Sequence, residues 1–405
     1  MKYKGLIISD IHIGVIPMEE LYLQFQSSFI EYINNMDELH YIIIDGDYFD
    51  HKLFLNDIAS KYASKMLQDI IDACKKFDNQ VKIRFVYGTE SHECNQYDAL
   101  SVLINSYDIE VIKYAKDEEL LPGMKVLYLP EEHILDKKEY YKEFFEEDQK
   151  YDYIFGHGII REAMKEAAVQ NDTSSDKRKK VPVFSTAEFR RICKGQTYFG
   201  HYHVNTDMDD VFYVGSFTRW QFGEDQDKGF YETCFNTKKE TYTNKFIKNE
   251  LAKMYKTISF GYKDKIFDDV DTLHQELDRV DHLIKTDAFD HVRFEVNIPE
   301  TQENPEFVID YLKERYKFNK NIKVNIVNGY IEAKKKQQKE KIKEDNDKYD
   351  FIFEKDISLQ DKTSHFISIE YNRDISPDHI ENYLTKPLSD ILIEEEDEIK
   401  KEVED

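Results

Sequence analysis

Long apolar runs are missing from this 405-residue chain. None reaches the roughly 18 residues that a membrane-spanning helix needs, and the longest, such as Tyr41–Ile44, have the length of a strand. This excludes a bundle of transmembrane helices. The apolar stretch behind Met1 is too short for a signal peptide and reads as a first strand. Cysteine is scarce: Cys74, Cys94, Cys193 and Cys234 lie far apart, with no C-x-x-C pair. Scattered thiols fit a reducing compartment, so a cytoplasmic location is expected. No internal repeat is found. Basic charge is also short, with 56 Lys and Arg against 81 Asp and Glu, a formal net charge of −25. Such a surface repels phosphate backbones. Two features reduce that conflict: carboxylates that hold divalent cations invert the local field, and much of the acidity sits after Glu394. The plain alternative is that the acidity serves solubility.

What is present is a regular alternation of short apolar runs with helical patterns. Lys4–Ser9, Tyr41–Asp45, Val81–Tyr87, Lys125–Leu129, Tyr153–Phe155 and Thr197–Phe199 read as buried strands. Glu19–Asn35 and Asn56–Lys76 carry apolar residues at helical spacing. Val211–Val214, Phe230–Asn236 and Thr241–Ile247 read as strands closing the unit. Strands alternating with helices predict an α/β fold with covered sheet faces. A first domain is therefore assigned to residues 1–250. From Leu251 the texture changes to a small α+β unit over 251–333, with strands at Lys256–Phe260, His291–Val296 and Ile322–Val327 and helices at Asp271–Lys285 and Pro305–Tyr316. Residues 334–405 form a Lys-rich stretch, an amphipathic segment over Ile375–Ile393 interrupted by Pro387, and an acidic end.

Five short segments carry the chemistry, each at the expected end of a strand. They are Ser9-Asp10-Ile11-His12, Asp45-Gly46-Asp47-Tyr48-Phe49-Asp50, Gly88-Thr89-Glu90-Ser91-His92-Glu93, Gly156-His157-Gly158 and Gly200-His201-Tyr202-His203. In an α/β sheet, sites form outside the carboxyl ends of strands. Alternate residues of an extended chain, such as Asp10 and His12 or His201 and His203, project the same way. Carboxylates with imidazoles suit Mn, Fe or Zn, and soft thiolates are absent from the set. One D-x-H or G-H-x-H is weak evidence; five such segments in order point to a shared metal site.

In order and spacing these segments resemble the motifs of calcineurin-like metallophosphoesterases. The run Gly215-Ser216-Phe217-Thr218-Arg219, followed by Phe222-Gly223-Glu224 and Lys228-Gly229, is similar to the segment that ends the nuclease domain of SbcD-type enzymes. The resemblance covers roughly the first 230 residues. It implies a calcineurin-like α/β sandwich, with residues 251–333 as a small α+β capping domain and 334–405 as a helical, partner-binding tail. It also implies two divalent cations, with Mn(II) expected. Asp10, His12, Asp47 and His203 would hold one, and Asp47, His157 and His201 the other. The asparagine usual at the second cation is absent, and Ser91 is the expected substitute. His92 matches the catalytic histidine beside the leaving group. The reaction implied is in-line displacement at phosphorus, by a two-metal phosphodiesterase that cuts DNA ends in repair or recombination. The partners implied are DNA, an SbcC-type ABC ATPase docked on Ile375–Ile393, and a second copy of the chain. The dimer would pack through Asn56–Lys76 and Tyr97–Tyr107, using Ile58, Tyr62, Met66, Leu103 and Ile104.

Around this core, Asp45 and Asp50 are expected to orient ligands, the alternative being helix caps, Glu93 to orient His92 or to cap the next helix, and Arg219 and Ser216 to contact substrate. Trp220 beside Arg219 suits stacking on a base, the alternative being a buried Trp with Arg219 paired to Glu224. The polar stretch Asn171–Lys180 offers basic residues to a phosphate backbone. Two other readings compete with the nuclease. One is a phosphatase or small-molecule phosphodiesterase with the same core. The other is a scaffold subunit whose site lost activity with the asparagine.

Overall fold

A computed structural model gives the fold. It describes residues 1–54, 56–163, 180–260, 270–286, 290–297, 305–317, 322–327, 358–371 and 376. By Cα proximity the chain divides into two compact units. One comprises Met1–Ile258, Gln275–Glu295 and Arg315–Val324, and the other Ser259–His274, Val296–Glu314 and Asn325–Asp405. The fivefold motif set lies in the first.

That unit is an α/β sandwich of two mixed six-stranded sheets. The strands in chain order are β1 (Lys2–Ile8), β2 (Tyr41–Asp45), β3 (Lys82–Val86), β4 (Ile109–Ile112), β5 (Lys116–Leu121), β6 (Met124–Leu129) and β7 (Tyr151–His157). They continue with β8 (Ile159–Ile160), β9 (Val183–Phe184), β10 (Cys193–Gly200), β11 (Thr206–Asp207), β12 (Val211–Tyr213), β13 (Gly229–Asn236) and β14 (Thr241–Lys248). The first sheet has the order β14-β13-β1-β2-β3-β4 and the second β11-β12-β10-β7-β6-β5. In each, four neighbouring strands run parallel: β1 to β4 in the first, and β12, β10, β7 and β6 in the second.

Strand periodicity sorts the side chains into three cores. Successive residues of a strand face opposite sides of the sheet. Tyr3, Ile7, Tyr41 and Ile43 therefore meet Val126, Tyr128, Tyr153, Phe155 and Tyr198 between the sheets. The alternate residues Leu6, Ile8, Ile42 and Ile44 turn outward. They pack on the helical run α1 (Met18–Gln24), a π-helical stretch Phe25–Ile30 and α2 (Glu31–Asn35), and on α3 (Ile58–Cys74). On the far side Leu127, Leu129, Ile154 and Phe199 pack against Phe189 and Ile192 of a helix over Thr186–Ile192. Burial on both faces explains why these strands read as continuous apolar runs rather than alternating ones.

The described residues after β14 include β15 (Tyr255–Phe260), a helix Val270–Thr286, β16 (His291–Asn297), a helix Pro305–Tyr316 and β17 (Ile322–Val327), with the three strands forming one sheet. A further helix spans Leu359–Tyr371. Asn171–Lys180 apart from Lys180, and Ile375–Ile393 apart from Ser376, lie outside the described residues. Among the described residues no helix is long and apolar enough to cross a membrane.

Candidate metal centre

The carboxyl ends of the parallel strands from both sheets converge on one cluster. β1 delivers Asp10 and His12, and β2 delivers Asp47 and Asp50. From the other sheet β7 ends on His157, and β10 leads into His201 and His203. The first two loops run side by side, with Asp10 N–H donating to the Gly46 carbonyl at 3.1 Å and His12 N–H to that of Asp47 at 3.0 Å. Gly46 is required here on two counts. Its φ is +85°, and a Cβ on it would lie 2.0 Å from His157 Nδ1. The ligand residues themselves take conformations that side chains avoid: φ is +49° at Asp10, +49° at His12, +47° at Asp47 and +96° at His201. Each such residue costs on the order of 1–3 kcal/mol, a cost typical of functional sites.

Ligand-capable atoms gather in overlapping groups. Asp10, His12 and His203 form one; Asp10, Asp47 and His157 form another; Glu131, His157 and His201 form a third. Within each group the atoms lie within 4.8 Å of one another. Asp47 Oδ2 stands 3.7 Å from His12 Nε2 and 3.3 Å from His157 Nε2, between the two imidazoles. Asp10 Oδ1 stands 3.8 Å from both His12 Nε2 and His203 Nε2.

The imidazoles are orientated from behind. His157 Nδ1–H donates to the Asp45 carbonyl at 2.9 Å. His203 Nδ1 faces Glu224 Oε1 at 3.0 Å, and His12 Nδ1 faces Asp50 Oδ1 at 3.2 Å. In His157 and His203 the outer nitrogen meets an acceptor, in His12 it faces the Asp50 carboxylate without a hydrogen bond, and in all three Nε2 points inward. This is the pattern of metal-binding histidines with their supporting acceptors. Nε2 of His12 and of His157 are buried without a hydrogen-bond partner. An orphaned buried nitrogen is costly unless something fills its place, and a cation would do so. The oxygen and nitrogen donors fit a pair of divalent cations.

The electrostatics agree. Burial lowers the proton affinity of His12, but Asp10, Asp50 and Asp47 outweigh it and hold its pKa up at about 9. His157 is likewise held well above the ordinary histidine value by Asp47 and Asp10, against burial. Burial raises the Asp47 carboxyl, yet the His157 and His12 charges bring it down to about 2. Protons on the imidazoles thus stand where cations would neutralise the carboxylates.

Glu131 was not anticipated. It follows β6 by two residues, is 9 % exposed, and sets Oε2 3.2 Å from His201 Nδ1. Thr89 Oγ1 lies 3.3 Å from both Glu131 Oε2 and Asp47 Oδ2. Ser91 is exposed on a short helix, Glu90–Glu93. Among the carboxylates and imidazoles, the oxygen grouped with His157 and His201 is that of Glu131. Its sequence signal was a carboxylate just past a strand end, without the glycine or histidine that marks the other segments.

His92 lies beside this group. Its Nδ1 bonds the Asp50 carbonyl, and its ring meets that of His12 edge to face at 4.9 Å. Asp50 also holds His51 at 2.9 Å. Glu93 is not directed at His92. It is fully buried, accepts from Tyr48 N–H at 3.2 Å and Tyr97 O–H at 3.0 Å, and is pushed up to about 8 by burial and by Asp47.

Arg219 and Ser216, expected to contact substrate, are instead built into the frame. Arg219 is 3 % exposed, and its guanidinium donates to the carbonyls of Glu224, Ala252, Lys253 and Gln226 at 2.5–3.3 Å. Five N–H donors in a fixed fork, engaged on four carbonyls, leave little to offer a phosphate. Ser216 is fully buried, donating to the Thr218 carbonyl at 2.9 Å and accepting from Lys228 Nζ at 2.8 Å.

Close ligand sets joined through Asp10 and His157 form a potential two-metal site of the kind found in metal-dependent hydrolases. No protein-family model matches the sequence, and no curated protein matches it.

Proposed function

We propose that this protein is a two-metal phosphoesterase. One observation carries the reading: Asp47 stands between imidazoles from opposite sheets whose Nε2 atoms are turned inward and orphaned. Asp10, His12, Asp47 and His203 would hold one cation. Asp47, His157 and His201, joined by Glu131, would hold the other. The cations would polarise the phosphoryl oxygens and acidify the attacking water. The chain's own part is to fix their ligands through Asp45, Asp50 and Glu224, and to place His92 at the edge of the group. With Nδ1 committed to the Asp50 carbonyl, His92 has Nε2 left for the substrate. That nitrogen suits protonating a leaving alkoxide or stabilising a phosphoryl oxygen.

A calcineurin-like fold is the family reading that accommodates the two facing sheets and the order of the motifs. Within it, phosphate monoesters and small phosphodiesters are the first substrates to test, since the site geometry speaks for metal-dependent hydrolysis in general. A second, narrower reading is favoured by the run from Gly215 to Gly229: an SbcD-type nuclease that cuts DNA ends with an SbcC-type ATPase. Residues 251–333 would cap the DNA and the segment 375–393 would dock the ATPase.

One assay separates these readings. The protein is given Mn(II) with p-nitrophenyl phosphate, bis-p-nitrophenyl phosphate, linear duplex DNA and single-stranded DNA. Hydrolysis of any of them, abolished by chelation, supports the phosphoesterase. Cleavage of DNA in the same preparation supports the nuclease, and turnover of the small esters alone removes it. Stoichiometric cation binding without turnover of any substrate leaves a scaffold subunit.

A further inference from the structure

Position 220 holds the only tryptophan of the chain. Its ring packs against two candidate ligands at once, with centroids 4.7 Å from His12 at a 58° tilt and 4.7 Å from His203 at 57°. The His12 and His203 rings meet each other at 5.0 Å and 75°. The three rings form a closed triangle on one side of the cluster. Among the described residues the ring contact of His157 is with His201, and His201 in turn meets Tyr202 at 5.6 Å. The two halves of the centre are therefore unequal: one is walled by an indole and the other is not.

The indole does not reach this position by chance of a mobile loop. Arg219, immediately before it, is tied by its guanidinium to four backbone carbonyls. Ser216 is clamped by Lys228, whose Nζ also donates to the His203 carbonyl at 2.6 Å. Lys228 further pairs at 3.0 Å with Glu224, the acceptor behind the His203 ring. One buried network thus fixes the Trp220 backbone and the outer nitrogen of His203 together. An imidazole that gives its lone pair to a cation becomes positively polarised, and the face of an indole favours such a ring.

We propose that Trp220 is a positioning residue for the His12–His203 half of the centre. It holds both imidazoles in the orientation that presents Nε2 and favours their polarised, cation-bound form. This rests on the two-cation reading, and the experiment keeps the two apart. Because Trp220 is the sole tryptophan, its emission reports on its own surroundings. Titrating the metal-free protein with Mn(II) or Co(II), which quench nearby fluorophores, should quench that emission. His203→Ala should remove the quenching step, and His157→Ala should retain it. In calorimetry Trp220→Leu should weaken one of two cation-binding steps by about 10-fold, in the range seen when a supporting residue is lost. Trp220→Phe should restore most of that affinity, since a ring face returns.

Cation binding measured calorimetrically without change in emission would overturn the role of Trp220 and leave the two-metal reading standing. Wild-type affinity at both steps in Trp220→Leu would do the same. A wild-type protein that binds no divalent cation at all would remove both.

Discussion

Asp47 Oδ2 lies within 3.7 Å of an imidazole from each half of the centre, so Asp47→Ala should lower the content of both cations and abolish hydrolysis. Elemental analysis together with Mn(II)-dependent turnover checks this; near-normal cleavage by the variant removes the shared role. His92→Ala should separate the two effects. It should keep both cations and lose about 10²–10⁴-fold in turnover, the usual contribution of a general acid. Loss of metal would instead place His92 with His12 and Asp50, the fourth close group of ligand-capable residues. The protons on the imidazoles predict a pH dependence. His12 in the metal-free fold is held at about 9, above the ordinary 6.5. Its contribution to metal-free stability is therefore complete below about pH 6.5 and is lost as pH rises through 9. A cation must displace that proton, so its affinity should rise between pH 7 and 9, by up to about tenfold per unit for each proton released. Calorimetry in buffers of different ionisation enthalpy counts those protons; an affinity flat across this range contradicts the assignment. At this scale the sequence was informative for residues with a marker beside them. Asp10, His12, Asp47, His157, His201 and His203 each lie at or just past a strand end, beside a glycine or two residues from another ligand. Glu131 was missed because Pro130-Glu131-Glu132 looks like any acidic turn. Nothing local in Gly-Ser-Phe-Thr-Arg says whether its arginine faces substrate or backbone carbonyls.

Elements were legible where burial writes a pattern. β2 runs over Tyr41–Asp45, as its uninterrupted apolar residues imply, and β14 over Thr241–Lys248 departs from the expected span by one residue. β4 and β5 were missed for a physical reason. β4 has four residues, and β5 is Lys-Asp-Glu-Glu-Leu-Leu at the open edge of its sheet. Edge strands carry charge because half their surface meets solvent. The helix over Thr186–Ile192 was not anticipated, although Ser185 and Glu188 form a capping box at its start. Seven residues are too few for its periodicity to stand out. The expected helix Glu19–Asn35 contains the π-helical turn Phe25–Ile30, which a 3.6-residue pattern does not reveal. The missed strands also carry an ion cluster. Arg84 of β3, its side chain 5 % exposed, meets Asp108 at 3.0 Å and Glu118 of β5 at 2.9 Å, and so joins the edges of both sheets. Arg84→Ala takes the guanidinium from both carboxylates, while Asp108 keeps Lys82 at 3.0 Å and Glu118 keeps the Tyr128 O–H at 2.8 Å, so it should cost about 2 kcal/mol, less than a fully buried pair. Burial raises both acids, but Lys82 and Arg84 bring Asp108, and Arg84 brings Glu118, below their ordinary values. Their contribution is present above the unfolded values and lost as pH falls through the folded ones. Urea unfolding should therefore show the deficit at pH 7 and its shrinkage below about pH 4.

For the whole molecule, the expected second copy has a candidate face. Ile58 is 58 % exposed on α3 and Val102 is 81 % exposed nearby in sequence to Leu103 and Ile104, whereas Met66 is fully buried within the chain. Light scattering at micromolar concentration should show twice the 48.4 kDa of one chain, and Ile58→Glu should halve the measured mass. A single-chain species for the wild type removes the dimer. The net charge of −25 spoke against a phosphate-binding protein, and divalent cations would ease that objection only where acids gather. Several of the acids are gathered at the carboxyl ends of the strands, where cations would reverse their sign. Those strands belong to different sheets: Asp10, His12 and Asp47 come from one, and Glu131, His157, His201 and His203 from the other. A bound pair of cations would therefore work as a rivet through the sandwich, adding to the apolar packing, the Arg84–Glu118 ion pair and the His157–Asp45 hydrogen bond that already join its two layers. At 100-fold excess over its dissociation constant each independently bound cation adds about 2.7 kcal/mol to the folded state. Chelation should thus lower the melting temperature and quicken amide exchange at the inner ends of β1, β2, β7 and β10 together, so that the protein without its metals loosens as a pair of sheets rather than at one loop.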